Sequence, residues 1–110
     1  MGIGRTFLTG ASSFLLAACQ TTPAPAYAPI TVTGFECGDN CYLRFTRPGS
    51  EAEETALCHA PACVPWAEEQ ELPPEFVGRS AQVLLGVGEQ VNGDGEVMGT
   101  DFPAVLDLRF

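Results

Sequence analysis

Glycine or proline stands at 21 of the 110 positions, 12 of the former and 9 of the latter. Each weakens or breaks a helix interior, so a helical bundle is excluded and the chain must be built from short strands and turns. The length allows one domain at most. Five arginines and no lysine face 14 acidic residues, a formal charge of −9. Such a surface repels polyphosphates, and nucleic acid is excluded as a partner. There is no G-x-x-x-x-G-K phosphate loop and no apolar run of 18 residues, and His59 is the sole histidine. A serine–histidine pair or a histidine cluster therefore has little to draw on. No nucleophile–base pair can be named, and the chain reads as non-enzymatic, with no cofactor.

The first thirty residues read as an address. Arg5 supplies a positive start, Thr6 to Ala18 is an apolar-to-small stretch of 13 residues, and Leu16-Ala17-Ala18-Cys19 closes it. A helix of that length rises only about 20 Å, too little for a membrane core of roughly 30 Å. This block resembles a bacterial lipoprotein signal peptide with its lipobox. The resemblance covers the leader alone. It implies that residues 1–18 are removed, that the Cys19 sulfur takes a diacylglyceryl group, and that the amine freed by cleavage takes a further acyl chain. Two or three chains exceed what stable anchoring needs, so the mature protein is expected to sit on a membrane without spanning it. Gln20 stands where a retention aspartate would be, which by the same resemblance points to the outer membrane, facing the periplasm. The stretch 19–29, rich in Pro, Ala and Thr after the cysteine, reads as a semi-extended tether, its last ten residues reaching up to roughly 30 Å.

Four cysteines remain in the body of the chain: Cys37, Cys41, Cys58 and Cys63. An even count in an oxidising compartment reads as two disulfides, which a domain of about 80 residues needs because its apolar gain barely exceeds its ordering cost. Local pairing of Cys37 with Cys41 and Cys58 with Cys63, and nested pairing of Cys37 with Cys63 and Cys41 with Cys58, are both open. Entropy favours the nested set, whereas the local set requires Gly38-Asp39-Asn40 to fold back tightly. The alternative is a metal-binding or thiol-redox protein in which the cysteine cluster, with His59, holds zinc or copper or cycles its thiols. The redox version lacks a C-x-x-C pair, and both spacings exceed the common zinc knuckle.

The rest, residues 30–110, reads as one β domain. Ile30 to Glu36 is a strand whose phase changes at Gly34, the mark of a bulge. After the turn at 38–40, Cys41, Leu43 and Phe45 alternate with Tyr42, Arg44 and Thr46, and Thr55 to Cys58 makes a third strand. Pro65 to Glu71 suits a short helix. Ala81, Val83, Leu85 and Val87 share one face of a fourth strand, and Ala104, Leu106, Leu108 and Phe110 share one face of a fifth. Asn92-Gly93-Asp94-Gly95 between them is the strongest hairpin signal in the chain. The expected fold is mainly β: a small five-stranded OB-like barrel, or an open antiparallel sheet, with one short helix and two disulfides.

In an OB-like barrel the turn after strand one and the turn before strand five help frame a binding face. Here these carry Asp39, Asn40, Asn92 and Asp94, oxygen-rich groups that suit a cation, a glycan or a basic segment of an envelope protein and would repel phosphate. The same residues are good turn formers. The Asn-Gly-Asp-Gly run lacks the bidentate glutamate of an EF-hand loop, and no metal site is assigned. Trp66 could stack a sugar, but a single tryptophan beside cysteines reads as core. The expected function is that of a lipid-anchored binding or interaction module of the cell envelope.

Overall fold

The computed structural model describes residues 26–110. The expected leader 1–18, the expected lipidation site Cys19 and the expected tether as far as residue 25 lie outside the described residues. Five strands close into a barrel in the order β1-β2-β3-β5-β4: β1 Ala28–Cys37, β2 Cys41–Thr46, β3 Glu54–Cys58, β4 Ser80–Val91 and β5 Val97–Arg109. A single short helix, α1 Val64–Glu69, lies between β3 and β4. Closure decides against the open sheet. It depends on one parallel contact, where Leu57 and Cys58 of β3 meet Ala104 and Val105 of β5.

The bend at Gly34 is what lets β1 serve two neighbours. Its first half pairs with β4, from Ala28 opposite Val83 to Thr31 opposite Ser80, and its register with β2 shifts between Val32 and Gly34. The extra residue brings both Val32 and Phe35 to the interior, which strict alternation forbids. Ala28 and Pro29 belong to β1, so the folded body begins two residues before the boundary expected at Ile30. Proline is tolerated there because it stands at the start of the strand.

The fifth strand corrects the sequence reading. Leu84 pairs with Asp107 and Leu85 with Val105, which leaves Leu106 as an extra residue in a bulge. Ala104 and Val105 are therefore both buried, Leu108 returns to the core, and Leu106 stands 42 % exposed. Phe110 is likewise exposed rather than internal. β4 and β5 also run further than expected, pairing as far as Val91 opposite Val97. The ribbon so formed extends past the parallel contact of β5 with β3, and Val87, read as a core residue, is 61 % exposed.

Ile30, Val32, Leu43, Phe45, Ala56, Val83, Val105 and Leu108 fill the interior. Helix α1 closes it with Trp66, 5 % exposed, edge-on to Phe35 at 5.8 Å and against Phe76 at 5.0 Å. Burying one such ring contributes roughly 4–6 kcal/mol. Pro65 occupies the first turn, and the helix ends at Gln70 in the left-handed region, φ 59°. It stops two residues short of the expected Glu71.

Candidate functional site

The turn after β1 and the turn before β5 meet. Gly38 donates to the Asn40 carbonyl at 2.8 Å, and the Cys37–Cys41 disulfide holds the turn with its α-carbons 4.0 Å apart. From this small loop the Asn40 side chain reaches Val91, donating from Nδ2 to its carbonyl at 2.8 Å and accepting from its N–H at 3.0 Å through Oδ1. An amide matched to both backbone groups of one residue imitates a strand neighbour. The β4–β5 turn is built on Asn92, whose Oδ1 accepts from the N–H groups of Asp94 and Glu96 at 2.9 Å each, while Gly95 takes φ 83°. A methyl group at Gly93 would lie 3.6 Å from Asp39 Oδ1.

The four residues named from sequence thus share one end of the molecule but divide in role. Asn40 and Asn92 hold the two loops in shape, their side-chain oxygens already bonded to backbone. Asp39 and Asp94 are exposed and are the pair available to a ligand. Two carboxylates on adjoining, internally bonded turns present a fixed negative surface that can attract a cation or an ammonium group.

Beside the loops, the outer face of the sheet carries a second set of residues that alternation alone did not single out. Tyr42 packs edge-on to Phe102 at 5.8 Å and accepts a hydrogen bond from Gln90 Nε2 at 2.8 Å. Leu57 and Ala104, paired across β3 and β5, are buried yet stand apart from the interior cluster. Glycine backbone here is overlain by side chains: a methyl group at Gly86 would meet Leu106, and one at Gly88 would meet the His59 ring and the Ala104 methyl. Two glycines with period two in β4 were the available signal, because such a pair marks large side chains lying across a strand. Arg44 lies over Gly34 with Nε 3.5 Å from Glu36.

The cysteines pair locally, Cys37 with Cys41 and Cys58 with Cys63. The strand geometry decides against the entropically favoured nested set: Cys37 faces Cys41 directly in the β1–β2 register, and the 3-10 turn Pro61–Cys63 brings Cys63 back toward the end of β3. Paired sulfurs offer no thiolate. Among the described residues no three of His, Cys, Asp and Glu converge in a metal-binding group, and His59 is exposed beside Gly88. Trp66 is a core residue, enclosed by aromatic rings.

Away from the loops, an open cavity of about 540 Å³ is lined by Pro29, Ile30, Ser80, Gln82, Arg109 and Phe110. Its charged group, Arg109, is engaged: Nε donates to Asp107 at 3.1 Å, and the guanidinium lies 4.1 Å from the centre of the Tyr27 ring. The Tyr27 hydroxyl donates to Asp107 at 2.6 Å. That bond holds the Asp107 carboxyl below the usual carboxylate range, with the Leu108 N–H and then Arg109 adding to the effect, and pushes the Tyr27 phenol upward. The three residues clamp the segment before β1 onto β5.

No family model, curated protein or solved structure matches the chain.

Proposed function

We propose that the chain is a lipid-anchored, non-enzymatic binding module of the bacterial cell envelope, held to the outer membrane and facing the periplasm. The observation that carries this reading is the division of the five cysteines. Four pair within the barrel, and the fifth, Cys19, follows Leu16-Ala17-Ala18 at the end of a short apolar leader. Disulfides support an oxidising compartment, and a thiol left over in front of a Pro/Ala/Thr segment suits lipid attachment. The charge fits an anchor made of acyl chains: removing residues 1–18 leaves 4 arginines against 14 acids, or −10, which anionic lipid headgroups repel.

In this reading the barrel is a rigid support and the Asp39–Asp94 loop pair, with the neighbouring outer face, receives a cationic or polyhydroxylated partner. The support is the cross-loop bonding of Asn40, which fixes the loops before a ligand arrives and so lowers the ordering cost of binding. Replacing Cys19 by Ser tests the anchor. The variant is expected in the soluble fraction or as uncut precursor, whereas a variant that is processed and still stays on the membrane would overturn the reading.

A further inference from the structure

The β4–β5 ribbon carries a surface that the loop pair does not explain. Beyond Ala104 β5 is strand-paired with β4 alone: its pairing with β3 is confined to Ala104 and Val105, whereas its pairing with β4 continues to Val97, and Phe102 packs on Tyr42 of β2. Along Val97 to Phe102 one edge of β5, interrupted by two register shifts, at Thr100-Asp101 opposite Glu89 and at Met98, therefore has no strand beside it among the described residues. An unpaired edge presents backbone N–H and C=O groups ready for another strand.

The side chains on this ribbon are unusual in two further respects. Val87, Val97 and Met98 stand 61 %, 50 % and 68 % exposed, an apolar set on a two-stranded arm that has little core of its own. Between Leu84 and Pro103 the sequence also holds four acids, Glu89, Asp94, Glu96 and Asp101, and no basic residue. Pairing of this edge with a second copy would bring two such sets together in a molecule already strongly negative, so the charge disfavours self-association. It favours a strand of opposite sign.

We propose that the free edge of β5, Val97 to Phe102, takes up an extended, cationic segment of another protein by strand addition, with apolar residues of that segment resting on Val97 and Met98. Backbone bonds hold the segment between the two bulges, and the Asp101 carboxylate, with Glu96 beside its bond from Asn92, selects basic side chains. This rests on the binding-module reading and names its partner class; it does not depend on the lipid anchor. Pro103, which has no N–H to offer, limits the addition to the residues before it.

The test is an NMR titration of the intact mature protein with three synthetic nine-residue peptides. One alternates valine with lysine, one alternates valine with glutamate, and one is the lysine peptide with alternate backbone nitrogens methylated to remove the pairing donors. The lysine peptide is expected to bind saturably and to shift the amides of Val97 to Phe102. The glutamate peptide, the methylated peptide, and the lysine peptide against an Asp101→Lys variant should each bind at least about tenfold more weakly. Equal binding by the methylated peptide overturns strand addition. Shifts confined to Asp39, Asp94 and Tyr42 overturn the β5 edge while leaving the binding module standing. Absence of saturable binding up to about 1 mM overturns the proposal, and the fractionation of the Cys19 variant then judges the anchor separately.

Discussion

Asn40 shows how one side chain decides what the loop end of the molecule can do. Its amide bridges 51 residues of sequence to satisfy both backbone groups of Val91, a role that a turn-forming asparagine does not announce. Asn40→Ala removes both bonds, and the expected loss is about 1–2 kcal/mol in denaturant unfolding. Hydrogen exchange at the Val91 amide should rise with it, and unchanged protection there would show that the β4–β5 turn holds itself. Tyr27 plays the matching part at the other end of β1. Because the folded Asp107 carboxyl titrates below its ordinary range, its share of stability is present above that range and is lost as the pH falls through the depressed value. The Tyr27 phenol is shifted upward, so its share holds below the ordinary phenol range and is lost as the pH rises through the raised value. Tyr27→Phe should move the Asp107 titration, followed by carbon NMR of the carboxyl, toward ordinary aspartate; an unmoved titration would mean that the Leu108 N–H and Arg109 set it without the phenol.

At the scale of elements, the short signals were legible and the long ones were not. The Gly34 bulge, the turn at 38–40, the hairpin at Asn92 to Gly95 and the Leu43 and Phe45 face all follow from local chemistry and appear as read. The face of β5 did not, because the bulge at Leu106 reverses the alternation on either side of it, and only the partner strand decides where a bulge falls. The same gap hid Tyr42, Gln90 and Phe102, which meet only once β2, β4 and β5 curve together. Asp39 and Asp94 were brought to one end as expected, whereas the chemistry of Asn40 and Asn92 turned inward. The disulfides close loops of five and six residues in the local pairing, each worth about 2 kcal/mol by loop entropy. Complete reduction is therefore expected to lower stability by about 4 kcal/mol if the two act independently, seen as a fall in the urea midpoint with little change in slope. An unchanged midpoint would show that the barrel does not need them.

For the whole molecule, three features bear on the proposed anchor: a short apolar stretch that ends at Cys19, a barrel whose own cysteines pair internally, and an excess of acidic residues that anionic headgroups repel. The clamp of Tyr27 on Asp107 and Arg109 fixes where the tether of the proposed mature chain meets the barrel. Fold class was legible from glycine, proline and cysteine usage, but ligand identity was not, because a binding surface is assembled from residues distant in sequence. The most direct test of the central claim is the mass of the N-terminal peptide of the protein recovered from bacterial membranes. The account predicts a chain that begins at Cys19 and carries a diacylglyceryl group with a further acyl chain on its amine. A membrane-associated or soluble chain that retains residues 1–18, or begins at an unmodified Cys19, would contradict it.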